Sequence, residues 1–366
     1  MLRVRTIHGV RALVAFAAAV ATAPAVDAQP AAVGPVPTSG RVIEVEVPAP
    51  ALEGNLLETA TVQRAAIYLP PSYDREPQRR YPVVYLLHGI FDRYEVWLDH
   101  FGVPTILDRL IAADEIPELI VVMPNGGNRY GGGFYRDSPV SGDWGSYIAG
   151  DLVSYTDGNL RTLAERGARA IVGHSMGGYG AIHLAMVRPE VFSVVWAMSP
   201  CCLAAMDDFG FGNQAWKTAA RAQSPADVAA LLEAGDFYPV AALGVAAAFT
   251  PDPEKPPLYV DFPFELVRGE TVLDEAAYDA YLDGLPLRQA RASRDALRSL
   301  AGLALDVGLG DQFLHIPTGT LALSEVLGRE RVPHLLDVYD GDHRMQVGER
   351  LERRILPWVG ERLLIE

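Results

Sequence analysis

The stretch AIVGHSMGGYGAIHLAM, residues 170–186, carries an apolar run into a serine flanked by glycines and then into a helix-forming run. Glycine loses more conformational freedom on folding than any other residue, so a buried strand gains nothing from three of them around one hydroxyl. An ordinary strand-to-helix loop does not account for that composition. GHSMG, residues 173–177, fits the pattern G-x-S-x-G between a strand and a helix. A serine that presents its hydroxyl above a sheet sits on a turn too tight for side chains on its flanks, which calls for Gly173 and Gly177. The helix that follows turns its free amide groups toward developing negative charge. Ser175 is the candidate nucleophile.

Outward from this stretch the chain alternates strands with helices. YPVVYLLHG (81–89), ELIVVMP (118–124), ARAIVGHS (168–175), VFSVVWAMSP (191–200) and LALDVGLGD (303–311) are apolar runs of strand length, suited to parallel strands covered on both faces. Helical patterns lie between them, around residues 103–113, 145–160, 180–188 and 318–328. HLLDVYDG (334–341) reads as a further strand, with a closing helix from about Met345. Before them, RVIEVEV (41–47) and TVQRAAIYLP (61–70) read as two more strands. The rhythm breaks between about 201 and 300, where the helical stretches SPADVAALLEA and DEAAYDAYLDGLP surround the proline-rich FTPDPEKPPLYVDFPFE. The expected architecture is α/β: one domain over 41–366 with a mostly parallel sheet, helices on both faces and an inserted lid or cap region at about 201–300.

The chain has 366 residues and a net charge of −15, from 31 Lys+Arg against 46 Asp+Glu. That balance offers no electrostatic footprint for nucleic acid and points to a small molecule or a neutral polymer as partner. Arg3, Arg5 and Arg11 precede an apolar run, Ala12 to Ala23, and small residues at Val26 and Ala28 suit a signal peptidase, so residues 1–28 read as an export signal and 29–40 as a linker. The run is shorter than the roughly 20 residues that span a bilayer, so no stable membrane anchor is expected, and the mature chain is expected to be secreted or periplasmic. The two cysteines, Cys201 and Cys202, are neighbours and cannot staple distant segments. They read as two small buried thiols or as a strained adjacent disulfide. No HExxH or other ligand spacing is present, and no metal or cofactor is expected.

A serine hydroxyl is a weak nucleophile at its own pKa and needs a histidine base, itself oriented by a carboxylate. In this architecture the partners follow in the order Ser, Asp/Glu, His. Of eight histidines, His315, His334 and His343 lie beyond the insertion. His343, in YDGDHRM (339–345), falls between the last strand and the last helix and is the candidate base; His334 and His315 read as structural. Asp306 lies within its strand, whereas Asp311 lies just past the end, where a side chain can reach the histidine. Asp311 is therefore the candidate acid, and Asp340 and Asp342 read as turn residues. The backbone amides of Met176, after the nucleophile, and of Ile90, in the loop opened by Gly89, are the candidate oxyanion donors. His88 reads as a brace for that loop. Asn125, Tyr130 and Trp144 are candidate substrate contacts, Tyr130 and Trp144 with Phe134 and Tyr135 as stacking surfaces. The glycines of NRYGGGFYRD (128–137) read as flexibility beside the pocket, since the Gly-Lys-Ser/Thr of a phosphate loop is missing.

Together YLPPSYD, YPVVYLLHG, VVMPNGGNRYGGGFY, GHSMGGYGAIHLA, LDVGLGD and GDH make the chain, from about residue 41 onward, similar to the putative-esterase family of α/β-hydrolases. That family includes S-formylglutathione hydrolases, feruloyl and acetyl-xylan esterases, and mycolyltransferases. The resemblance implies an α/β-hydrolase fold and a serine carboxylesterase with Ser175 as nucleophile, Asp311 as acid, His343 as base, and Ile90 and Met176 as oxyanion donors. It implies a small-molecule or carbohydrate ester as substrate, acylated sugars and feruloyl-type esters among them. An acyltransferase that passes the acyl group to a sugar or lipid alcohol would use the same residues, and a silent binding protein would use none of them. The long insertion and the export signal depart from familiar members, and export argues against a role in cytosolic formaldehyde detoxification.

Overall fold

Short apolar runs bounded by glycine, proline or polar turns become strands because covering helices leave no wet face for a polar residue to occupy. The computed structural model describes residues 39–365; the expected export signal and the linker up to residue 38 lie outside them. In chain order the strands are β1 (Arg41–Pro48), β2 (Val62–Leu69), β3 (Val83–Leu87), β4 (Ile120–Pro124), β5 (Arg169–His174), β6 (Val194–Met198), β7 (Phe264–Val267), β8 (Glu270–Leu273), β9 (Gly302–Gly308) and β10 (Leu335–Tyr339). All except β7 and β8 form one sheet, in the order β1-β2-β4-β3-β5-β6-β9-β10. Within it β2 is antiparallel to both its neighbours and every other pairing is parallel.

Alternate residues of one strand serve opposite cores, as the pleat requires. Val83, Tyr85 and Leu87 of β3 pack on one face with Ile171 of β5, while Val84 and Leu86 pack on the other with Ala170 and Val172. Helix Met176–Val187 covers the first face, and helix Val103–Ala112 with the C-terminal helical segments covers the second. After β3 the chain steps to β4 on one side and then to β5 on the other. Such a reversal opens a crevice outside the carboxyl ends of β3 and β5, the usual place for a ligand in an open α/β sheet. Register carries the same edge across the sheet: Leu87 lies opposite Gly173, His174 opposite Met198, Met198 opposite Asp306, and Gly308 opposite Tyr339.

The insertion lies between β6 and β9. Its expected helices appear at Pro225–Glu233 and Glu275–Asp283. The shorter helices Gln214–Ala219, Pro286–Gln289 and Arg294–Arg298 were not expected, nor were the antiparallel hairpin β7–β8 and helix Phe237–Phe249, FYPVAALGVAAAF. That helix is buried almost all round, so it has no polar stripe for a periodic pattern to reveal.

Glycines of the loop after β4 mark close approach, which corrects their reading as flexible. A Cβ at Gly133 would strike the Trp144 ring, and one at Gly132 the Met176 side chain. The turn around Ser175 is tighter still: a Cβ at Gly173 would collide with the carbonyl of Gly177, and one at Gly177 with that of Leu87. Gly173→Ala should therefore lower stability in chemical denaturation by about 3 kcal/mol or more. Gly150→Ala, at an exposed helical position where a Cβ meets nothing within 4 Å, should leave stability unchanged or raise it by up to about 1 kcal/mol.

Candidate active site

Ser175 sits between β5 and helix Met176–Val187 with φ 58° and ψ −116°, a backbone conformation that side chains rarely adopt. Strain of this kind costs about 1–3 kcal/mol and persists only where the surroundings hold it. Three backbone hydrogen bonds do so: Ser175 N–H donates to Met198 O (2.9 Å), and Ser175 O accepts from Tyr179 N–H (3.0 Å) and Cys201 N–H (3.2 Å). The end of β6 thus clamps the turn.

His343 and Asp311 come together as expected. His343 Nδ1–H donates to Asp311 Oδ2 at 2.7 Å, and both side chains are buried. An ionised carboxylate only accepts, so this bond fixes the tautomer and leaves His343 Nε2 bare to take a proton. The other Asp311 oxygen accepts from Phe313 N–H (2.9 Å), and the Phe313 ring stands edge-on to the His343 imidazole with centroids 4.9 Å apart. The neighbour of Ser175 completes the support: His174 Nε2–H donates to His343 O at 2.8 Å, and the two rings lie 4.6 Å apart. Burial, with the nearby His343 adding to it, pushes His174 well below the ordinary histidine range, so it stays neutral beside the base. No hydrogen bond joins Ser175 Oγ to His343 among the described residues; this contact is commonly loose before substrate tightens it.

Gly89 brings the loop after β3 against the nucleophile, since a Cβ there would lie 3.4 Å from that of Ser175. Neither Ile90 N–H nor Met176 N–H donates to any acceptor among the described residues. The two candidate donors are thus free to meet an oxyanion. His88 braces their loop by donating from Nδ1 to Gly89 O (2.7 Å) and accepting at Nε2 from Gly126 N–H (2.8 Å). Burial pushes its pKa down, which suits the bare Nε2.

An apolar pocket opens beside Ser175, with about 580 Å³ of space when the open solvent at its mouth is included. The insertion builds much of its wall, through Phe209 and Trp216 and through Phe237, Ala242 and Val245 of helix Phe237–Phe249; Phe134, Ile90 and Phe313 add to it. Of the four aromatic residues expected to stack on substrate, only Phe134 reaches this pocket. Trp144 is a core residue with its indole N–H donating to Ser141 O (2.8 Å), and Tyr130 is buried with its hydroxyl donating to Leu258 O (3.1 Å). Tyr135 spends its hydroxyl on His88 O (3.0 Å). Asn125 lines a separate polar cleft, where its Oδ1 accepts from Tyr94 N–H (3.0 Å). Residue type alone suggested surface contacts; the close approach of the glycine-rich loop buries them instead. His174, Phe313 and the insertion's aromatics escaped sequence reasoning. His174 had a signal, since it occupies the second position of the GHSMG motif.

Residues 59–347 match the family described as "Putative esterase". The chain belongs to that family. Over 138 residues it is 33% identical to an endo-1,4-beta-xylanase/feruloyl esterase of Xylanibacter ruminicola, a match that covers 37% of this chain and 19% of that protein. The chain therefore spans about a fifth of the length of that relative. A solved ferulic acid esterase superposes with a TM-score of 0.59 at 22% identity, over 88% of this chain and 98% of its own. An S-formylglutathione hydrolase from Agrobacterium tumefaciens does so with a TM-score of 0.57 at 19% identity, over 89% and 97%. These likenesses establish the α/β-hydrolase fold, with the family's mostly parallel sheet and surrounding helices.

Within this family member Asp306 does not reach the histidine. It accepts from the Trp196 indole N–H (2.5 Å) and pairs with Arg350 (2.9 Å), which also reaches Asp337 (3.3 Å). Burial pushes the Asp306 carboxyl up from its ordinary range, and Arg350 and Trp196 oppose that. Asp306→Ala leaves Arg350 buried beside one fewer carboxylate, and should cost about 3–5 kcal/mol in urea unfolding.

Proposed function

We propose that the chain is an exported serine carboxylesterase. Ser175 Oγ attacks the ester carbonyl while His343 Nε2 takes its proton, and Asp311 steadies the imidazolium that forms. The amides of Ile90 and Met176 receive the oxyanion. His343 then returns the proton to the departing alcohol, and a water that it deprotonates attacks the acyl-enzyme and frees Ser175. The observation that carries this reading is the buried His343–Asp311 couple at 2.7 Å, locked to the residue before Ser175. The apolar pocket suits the acyl group, including aromatic acids of the feruloyl type. Export rests on the arginine-led apolar segment at residues 3–28, and the mature N-terminus is expected at Gln29.

Purified wild-type protein should take one fluorophosphonate label on Ser175 and hydrolyse 4-nitrophenyl acetate. Ser175→Ala should abolish both with unchanged circular dichroism, turnover falling on the order of 10⁴-fold or more. Asp311→Asn, which misorients the imidazole at constant size, should cut turnover by about 10⁴-fold. A folded Ser175→Ala protein with near-normal turnover would overturn the mechanism.

Acyl selectivity in this reading belongs to the insertion residues that line the cavity. Tyr259 and Phe262, of the insertion's proline-rich segment, do not line it, and the Phe262 ring packs edge-on to Trp216 at 6.3 Å. Ala242→Trp should slow hydrolysis of octanoyl or cinnamoyl esters relative to acetyl esters by about ten-fold or more, whereas Tyr259→Ala should leave that ratio unchanged.

A further inference from the structure

The pocket beside Ser175 holds a second histidine–carboxylate pair that the reaction leaves unused. His315 opens helix His315–Arg329, lines the pocket and is 6% exposed. Its Nδ1–H donates to Asp208 Oδ1 at 2.8 Å, and its ring stacks on Phe209 with centroids 5.0 Å apart. Asp208 comes from the insertion and is heavily committed: it also accepts from the Tyr238 hydroxyl (2.5 Å), His315 N–H (2.8 Å) and Leu314 N–H (3.2 Å). Burial alone would raise this carboxyl, but the bonds from His315 and Tyr238, together with the nearby His315 ring and amide, outweigh it and bring it down to about 2. Asp208 is thus a fixed anion, able only to accept. It holds His315 in the Nδ1–H tautomer and leaves Nε2 with a bare lone pair. That Nε2 is buried and has no hydrogen-bond partner among the described residues.

A buried polar atom without a partner is costly, and an otherwise apolar wall gives no structural reason to keep one there. Histidine is not needed for packing, since phenylalanine would stack on Phe209 equally well. Nor is His315 bonded to His343: its hydrogen bonds go to Asp208, and both rings pack near Phe313, the His343 ring at 4.9 Å and the His315 ring at 6.5 Å. His315 and Ser175 line the same pocket, so an acyl group bound through Ser175 and seated there shares that space with the second imidazole.

We propose that His315, oriented by Asp208, is a specificity-determining residue that accepts a hydrogen bond from a hydroxyl on an otherwise apolar, aromatic acyl group. This rests on the esterase reading of the pocket. A bare imidazole nitrogen accepts, so it favours a hydroxylated ring over an unsubstituted one. It gives nothing to a carboxylate, which Asp208 repels.

The test compares methyl 4-hydroxycinnamate with methyl cinnamate in wild type and in His315→Phe, where Asp208 keeps three of its four donors. Wild type should favour the hydroxylated ester in kcat/KM by about five-fold or more. His315→Phe should bring that ratio to about one. Binding of the two free acids to the Ser175→Ala protein, read by calorimetry, should show the same preference without any turnover and without any change at position 315. Equal affinities for the two acids overturn the proposal, as does a ratio that survives His315→Phe, or tighter binding of 4-carboxycinnamate than of 4-hydroxycinnamate. Failure of the parent reading is separate: it appears as loss of fluorophosphonate labelling and of 4-nitrophenyl acetate hydrolysis in wild type.

Discussion

Everything at the candidate site depends on one strained residue. Ser175 holds φ 58° because the end of β6 grips it from both sides, through Met198 O and Cys201 N–H. Release of either bond would let the turn relax into the helix and lower the hydroxyl toward the sheet. The glycines at 173 and 177 are the other half of the constraint, since they let Gly177 and Leu87 approach where a methyl group would forbid it. Strand β6 is in turn anchored to β9, with Ser199 N–H donating to Asp306 O (2.9 Å) and Trp196 to the Asp306 carboxylate (2.5 Å). Asp306 acts through the scaffold, whereas Asp311, five positions further on, holds His343.

The loop after β3 and the loop after β10 close on the same turn. Asp92 follows the candidate oxyanion residue Ile90, and Arg344 follows the base; the two pair at 3.3 Å. This pair is partly exposed, so its own contribution to stability is small. Its value is geometric, because it ties the donor loop to the base loop across the mouth of the crevice. His88 and His174 also brace the site, His88 with both ring nitrogens on backbone groups and His174 with Nε2 on His343 O. Of His88, His174 and His343, His343 alone has its Nδ1 on a carboxylate.

Legibility in the sequence followed the range of the interaction. The sheet strands were readable because burial on both faces imposes a local signature, a short apolar run with a breaker at each end. The meeting of Asp311 with His343 was readable because chain order and strand ends place their loops on one edge. Helix Phe237–Phe249 left no such trace, since a helix enclosed on all sides has neither a polar stripe nor a strand-like length. The stacking roles assigned to Trp144 and Tyr130 failed for a related reason: the residues that bury them, Gly133 for one and Leu258 and Gly244 for the other, are brought there only by tertiary approach.

The insertion is more than a cover. Asp208, near its start, takes the backbone amides of Leu314 and His315, three and four residues beyond Asp311. The Asp311 loop is therefore pinned at one end by β9 and at the other by a carboxylate of the insertion. The wall of the apolar pocket and the position of Asp311 share that anchor, so neither can be remodelled alone. An insertion free to vary in sequence would change selectivity at no cost to chemistry; one that supplies Asp208 cannot lose that residue without loosening the His343–Asp311 couple. The physical consequence is a division within the insertion itself: Ala242, Val245 and Trp216 only shape the cavity, whereas Asp208 also holds the loop that carries Asp311.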